Sequence, residues 1–388
     1  MKKTYRIAWI GKKSPFCGNV TYCKELVRGL SERGHEVLFV HFEDPENAPE
    51  TPIEESHEVK IPYLYKSQMY TIPSPTSAKI LTQALQDWQP DVVHASLPIS
   101  AMDFNLPEIC HKLGIPLVST FHNAFDRRPS FFSGTSYLTY QLYAQQMADS
   151  DRVIIFSNLQ KQLLMRVGVS EERIAIVPNA IDTERFSPGP SAFRQRYPDK
   201  LIMTYMGRIA PEKGLDELLK VFMRLALPQT QLVMVGDGSQ KQLLQSLYSE
   251  VPNLVWTGFL GEAERLDVLR GSDIFILPSQ VEGLSIALLE AMACGLATVA
   301  TDVGSDGEVL EQGAGVIINP GKVKSELSFA LQLLHQHPDF VANLKLKARE
   351  RVVERYRLET NLAAVEAVYD SVLSSPRPVN GSPLLMAG

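Results

Sequence analysis

A chain of 388 residues is long enough for two cores, and 45% hydrophobic with 21% charged residues describes a globular protein and excludes a disordered one. A net charge of -6 leaves no basic footprint for nucleic acid, so no nucleic-acid partner is expected. Four cysteines, Cys17, Cys23, Cys110 and Cys294, lack CxxC spacing, which fits reduced thiols in a cytosolic compartment and gives no structural zinc site; no run approaches the roughly 18 apolar residues of a membrane span.

In chain order, YRIAWIG (5–11) reads as a first strand, its apolar run being too short for a signal peptide. VTYCKELVRGLSERG (20–34) reads as a helix stopped by Gly34, and HEVLFV (35–40) as the next strand. DVVHAS (91–96), IPLVSTFH (115–122), RVIIFS (152–157) and RIAIVPN (173–179) continue the series. Continuous β-branched runs between helices indicate a parallel sheet covered on both faces, a doubly wound α/β domain. The proline-rich stretch 178–198 reads as a linker. After it LIMTYMG (201–207), QLVMVG (231–236), LVWTGF (254–259), DIFILPS (273–279), LATVAT (296–301) and GVIIN (315–319) restart the alternation. Two tandem Rossmann-like domains are expected, closed by a long helix near 340–373 and an unstructured tail.

Neither domain carries GxGxxG. The first strand leads into GKKSPFCGNV (11–20), where Gly18 and Asn19 precede a helix whose amides suit an anion, although a glycine in a strand–helix turn is more often only a turn. GRIAPEKG (207–214) puts Gly207, Arg208 and Lys213 at the exit of the second domain's first strand, where an arginine fork and a lysine charge suit phosphate, or a solvated loop. Gly236 and Asp237 in GDGS lie at the next strand exit. In PSQVEGLSIALLEAMACG (278–295), Gly283-Leu284-Ser285 is expected to begin a helix running to about Cys294, with free amides for a diphosphate. Glu282 then reaches sugar hydroxyls and Glu290 a ribose; alternatively Glu282 caps the helix and Glu290 pairs with a core arginine. Asp149-Ser150-Asp151 reads as a surface turn, His35 and His94 as structural (His94 as a second possibility bordering the cleft), and Tyr137, Tyr140 and Tyr143 as a core stripe.

GRIAPEKG, then GDG, then PSQVEGLSIALLEAMACGLATVAT with its Glu-x7-Glu spacing and the following Gly304, Gly307 and Glu308 resembles the retaining glycosyltransferases of family 4, which have the GT-B fold. VPNAID (177–182), GHEV (34–37), PDVVH (90–94) and STFH (119–122) fall where the family has comparable segments. The likeness implies an acceptor-binding domain over 1–177, a linker over 178–198, a nucleotide-sugar domain over 199–358, a helix 359–374 returning to the first domain, and a tail 375–388. It implies that Arg208 and Lys213 neutralise the donor diphosphate, Glu282 binds the transferred sugar, Glu290 binds the ribose, His122 lies beside the sugar and Gly18 faces the phosphates. It implies front-face retaining chemistry with a UDP-sugar donor, no cofactor and no metal. The chain departs from the family at EGLS (282–285) for EGFG, GLATVA (295–300) for GxPVVA, His122-Asn123 for His-Asp, and Cys17-Gly18 for a double glycine.

NAFDRRPSFFSGTSY (123–137) sets Arg127-Arg128 and Phe131-Phe132 beside His122, and IPYLYKSQMY (61–70) adds tyrosines. Basic residues beside aromatics suit an anionic bilayer surface, or loop packing. SPFCGNVTYCKEL and FHNAFDRR resemble the family-4 digalactosyldiacylglycerol synthases of cyanobacterial photosynthetic membranes. That likeness implies UDP-galactose, a galactolipid acceptor and peripheral attachment on the cytoplasmic side. A UDP-sugar transferase acting on a soluble sugar or polysaccharide intermediate, a nucleotide-sugar epimerase and a non-catalytic nucleotide-sugar binding protein remain the alternatives.

Overall fold

The computed structural model describes residues 3–13, 18–43, 57–67, 70–97, 99–123, 125 and 131–374. Its first sheet is built from β1 (Arg6–Gly11), β2 (Glu36–Phe42), β3 (His57–Ile61), β6 (Val92–Ser96), β7 (Leu117–Thr120), β8 (Arg152–Ile155) and β9 (Ile174–Ile176), with β4 (Tyr63–Lys66) and β5 (Thr71–Pro73) forming a separate antiparallel hairpin. The strand order is β3-β2-β1-β6-β7-β8-β9, all parallel. The second sheet uses β10 (Leu201–Met206), β11 (Thr230–Val235), β12 (Leu254–Gly258), β13 (Ile274–Leu277), β14 (Ala297–Thr301) and β15 (Val316–Ile318), in the parallel order β12-β11-β10-β13-β14-β15. Central strands such as Val92–Ser96 and Ala297–Thr301 are buried at every residue, as apolar runs covered on both faces require.

Each sheet reverses its order once, between β1 and β6 and between β10 and β13. Loops leaving the carboxyl ends of those strands diverge and leave a crevice, which is where open α/β sheets bind ligands. Gly18 and Asn19 follow β1, Arg208 and Lys213 follow β10, and Glu282 follows β13.

The helix expected near 340–373 is two helices, Pro338–Arg355 and Leu358–Ser374. The break has a partner: the Ile181 amide donates to the Tyr356 carbonyl (2.8 Å), and the Leu358 amide donates to the Ile181 carbonyl (2.9 Å). The two chain crossings between the domains therefore pair with each other. The outgoing stretch 178–198 is also more than a spacer, because Phe186 and Phe193 sit in the core and Asp267 accepts from the Ala192 and Phe193 amides.

Helix Leu358–Ser374 packs on helix Gly18–Glu32 of the first domain. Arg33 holds Glu366 with two bonds of 2.9 Å, His35 Nε2 lies 3.0 Å from the same carboxylate, and Tyr5 donates to Asp370. His94 is fully buried, its Nδ1 2.6 Å from the Tyr369 hydroxyl and its Nε2 2.7 Å from Thr120 Oγ1, so both its nitrogens are spent in the core. Of the tyrosine stripe, Tyr140 and Tyr143 are core but Tyr137 is exposed. Repeated steps of three drift round a helix of 3.6 residues per turn, and the buried line continues from Tyr143 to Met147 instead. Asp149-Ser150-Asp151 is a surface turn with an anchored centre: Asp149 is exposed, Ser150 is buried on Ser119, and Asp151 accepts from the Leu117 amide.

Removing the Tyr369 hydroxyl in Tyr369→Phe leaves a buried imidazole nitrogen unpaired. It should lower stability by about 1–3 kcal/mol in urea unfolding, and an unchanged midpoint would count against this contact.

Candidate active site

Four segments converge at the exits of β10 and β13. After β10, buried Tyr205 donates its hydroxyl to the Arg208 carbonyl (2.7 Å) and fixes the turn that carries the arginine. Lys213 ends the single helical turn Pro211–Lys213, and its Nζ lies 2.5 Å from Glu282 Oε1. Ser279 Oγ donates to the same oxygen (2.8 Å), and the Gln280 amide donates to the Glu212 carbonyl (2.8 Å). The loops after the two strands are thus joined by an ion pair and by backbone. Gly236 at the exit of β11 packs its Cα against this turn: with φ 133°, an added Cβ would lie 1.9 Å from the Gly207 carbonyl oxygen.

Helix Ile286–Ala293 begins three residues later than the sequence suggests. Ser285 is its cap, accepting from the Leu288 amide (3.3 Å) because a serine hydroxyl outcompetes another helical turn there. Glu282 is not the cap. The Ser285 amide donates to Asp306 Oδ1 (2.9 Å), so of the three amides expected to await an anion one is occupied; those of Gly283 and Leu284 meet no acceptor among the described residues.

Glu290 lies one turn into the helix, fully buried, with Arg265 Nη1 at 3.1 and 3.3 Å from its two oxygens. Burial raises its pKa and Arg265 opposes the rise. Of the two readings of this residue, pairing with an arginine is the one present in the ligand-free chain. Arg208 pairs with Glu212 (2.6 Å), and Asp237 is exposed and paired with Lys241 (2.7 Å).

From the first domain, exposed Gly18 and half-buried Asn19 start the helix after β1. Asn19 Oδ1 accepts from Ser96 Oγ (2.8 Å), and Ser96 Oγ lies 2.8 Å from His122 Nε2. A hydroxyl has one proton, and here Asn19 takes it, so His122 must donate from Nε2 and keeps a lone pair on Nδ1. Burial against Tyr22 and Phe156 pushes the His122 pKa down to about 3, so the ring is neutral. The two domains meet here through backbone: the Phe125 amide donates to the Glu282 carbonyl (2.9 Å), and the Gly304 amide donates to the Phe125 carbonyl (3.1 Å). Gly304, at φ 57°, has no room for a side chain, since a Cβ would lie 2.2 Å from the Glu282 carbonyl oxygen.

The structure therefore brings together Lys213, Glu282, Gly283, Leu284, Ser285 and His122, with Asn19 behind the histidine. Asp237 makes its ion pair with Lys241, and the Glu290 carboxylate is buried against Arg265. Arg127 and Arg128 lie outside the described residues, as do the side chains of Phe131 and Phe132, which open helix Phe131–Asp149. Ser96, Phe125 and Asp306 were not singled out by sequence. Two carboxyls, Asp306 and Glu308, within the otherwise small and apolar VGSDGEVL were the one available signal. Among the described residues no group of three or more His, Cys, Asp or Glu side chains is placed to hold a metal ion.

Two family models match in tandem: Glycosyltransferase Family 4 over residues 17–185 and Glycosyl transferases group 1 over residues 191–351. The chain is 28% identical to the sulfoquinovosyl transferase SQD2 of Arabidopsis thaliana, over 86% of this chain and 68% of that one. It is 27% identical to one component of the human phosphatidylinositol N-acetylglucosaminyltransferase, over 80% of this chain and 64% of that one. Its fold superposes on Anabaena HepE, solved with UDP-glucose, with a TM-score of 0.78 at 18% identity, over 95% of this chain and 100% of that one. The chain belongs to the group 1/family 4 glycosyltransferases and has the GT-B fold.

Gly304→Ala forces a side chain onto the Glu282 carbonyl in a backbone region that alanine avoids. It should cost roughly 2 kcal/mol or more and loosen the Phe125 bridge, read as a lowered melting temperature and faster amide exchange at Phe125. Wild-type values for both would show that the bridge tolerates the residue.

Proposed function

We propose that this enzyme transfers a hexose, galactose in the first instance, from a UDP-sugar to a glycolipid acceptor at a membrane surface, with retention at the anomeric carbon. The carrying observation is the Lys213–Glu282 pair at the β10/β13 crevice, opposite a neutral His122. A lysine and a glutamate paired in the empty site match the two ends of a sugar diphosphate. Lys213 moves toward the departing phosphate oxygens, Arg208 adds charge from the same loop, and the Gly283 and Leu284 amides complete the anion contact. Glu282, relieved of its lysine, accepts from sugar hydroxyls, and His122 Nδ1 accepts from another. The acceptor hydroxyl attacks the anomeric carbon on the face the diphosphate leaves. The bond from that carbon to the phosphate oxygen breaks, and the same oxygen takes the hydroxyl proton. Every group invoked stabilises charge, so no protein nucleophile is needed.

UDP is favoured because HepE, of the same fold, holds UDP-glucose. A lipid acceptor is favoured by the phosphatidylinositol in the name of one relative and by the surface of the first domain. Leu64, Tyr65, Tyr70 and Ile72 on the β4–β5 hairpin, with Tyr137, Leu138 and Leu142 on helix Phe131–Asp149, are all exposed. No helix among the described residues is long and apolar enough to cross a membrane, so attachment in this reading is peripheral.

Labelled UDP-galactose and UDP-glucose offered with diacylglycerol glycolipids and soluble sugars in competition should give an α-linked digalactosyl lipid from the galactosyl donor. Product only on soluble sugars would replace the acceptor, and epimerised donor without acceptor would replace the reaction class. Lys213→Ala should lower kcat about 10²-fold or more, because the leaving group loses its nearest cation; near-normal turnover removes Lys213 from this role. Serine at both Phe131 and Phe132 should weaken sedimentation with galactolipid vesicles, and equal sedimentation would place the contact elsewhere.

A further inference from the structure

We propose that Asp306 is a positioning residue of the donor site that works as a neutral carboxylic acid, holding the Glu282–Ser285 loop while leaving Lys213 a single negative partner. The inference rests on the donor reading above. Asp306 opens the short helix Asp306–Leu310 and is wholly buried. Its Oδ1 accepts from the Ser285 amide at 2.9 Å, and its Oδ2 has no partner among the described residues. Two other buried polar atoms near the same loop share that condition, Ser305 Oγ and Asn179 Oδ1, although Asn179 Nδ2 donates to the Leu284 carbonyl (2.9 Å) and the Ser305 amide to the Gly283 carbonyl (2.7 Å). The loop that must meet the donor is thus gripped by polar groups from the linker and from the exit of β14.

The charges facing Asp306 are few. Glu282 and Lys213 reach it from the two neighbouring loops, and Asp302 and Glu308 flank it on its own segment. Lys213 is already committed to Glu282. A second ionised carboxyl would leave this corner with a net negative charge where a diphosphate has to sit, and a buried carboxylate with one open oxygen is costly in itself. Burial first, and Glu282 second, raise the Asp306 pKa well above the ordinary carboxyl range, against the pull of the Ser285 amide and Lys213. Burial thus favours the protonated acid, which ionises as pH rises, and each ionised molecule repels the donor.

Isothermal titration with UDP across neutral to alkaline pH tests this on wild type, Asp306→Asn and Asp306→Leu. Wild-type affinity should fall by about tenfold or more on the alkaline side, and Asp306→Asn should lack that fall. At neutral pH the asparagine, which keeps an acceptor for Ser285, should bind UDP at least about tenfold tighter than the leucine variant. An alkaline fall in Asp306→Asn as large as in wild type, or asparagine no better than leucine, overturns the inference. Infrared difference spectra of wild type against Asp306→Asn need no ligand. A protonated-acid carbonyl band at neutral pH that disappears on alkaline titration supports the proposal, and its absence refutes it. If wild type binds no UDP at any pH while that band is present, the donor reading fails and the protonated acid stands.

Discussion

The Lys213–Glu282 ion pair is the contact on which the rest of this site depends. Both side chains are nearly buried, at 14% and 13% exposure, and neither charge is tolerable there alone. Pairing them fixes the loop after β10 against the loop after β13. Fixing Glu282 fixes its carbonyl, which receives the Phe125 amide from the other domain. Phe125 lies three residues beyond His122, so the imidazole is placed against the second domain by a chain of bonds that begins at a lysine. A ligand that competes for Lys213 acts on the start of that chain.

The two domains touch through backbone at this point and through charge at another. Arg185, in the outgoing crossing, bridges Glu25 of helix Gly18–Glu32 (2.7 Å) and Glu262 of the second domain (3.1 Å), and Arg28 joins Glu25 at 2.6 Å. Near it Ile181 pairs with the returning chain at Tyr356 and Leu358. The relative pose is therefore set at the crossings and at Phe125. Backbone bonds at both places leave little dependence on side-chain identity, which suits a fold whose members differ widely in sequence.

Both sheets were legible in the sequence because strands buried on two faces must be continuously apolar, and helices between them must not be. The hairpin β4–β5 was not, since Leu64, Tyr65, Tyr70 and Ile72 are exposed and carry no inside–outside alternation. The break at 356–357 was invisible because its cause, Ile181, lies far away in the chain. Within the site, the position of Lys213 and Glu282 at strand exits could be read from local pattern, whereas their roles came from resemblance. Asp306 escaped because its partner is an amide, and an amide leaves no trace in side-chain composition. The Ser285 cap was present in the sequence, two residues inside the expected start of the helix at Gly283.

Glu290 shows where local reasoning and tertiary structure part. An apolar helix keeps a carboxylate, and Arg265 from the preceding helix Glu262–Gly271 compensates it. The compensation is incomplete in form: Nη1 is shared between the two oxygens, at 3.1 and 3.3 Å, instead of two nitrogens meeting two oxygens in a fork. Replacing a buried ion pair by apolar residues of similar volume is often neutral or stabilising, so fold stability gives little reason for carrying this one. What the pair does provide is position: it ties helix Ile286–Ala293, into which the Glu282–Ser285 loop runs, to helix Glu262–Gly271.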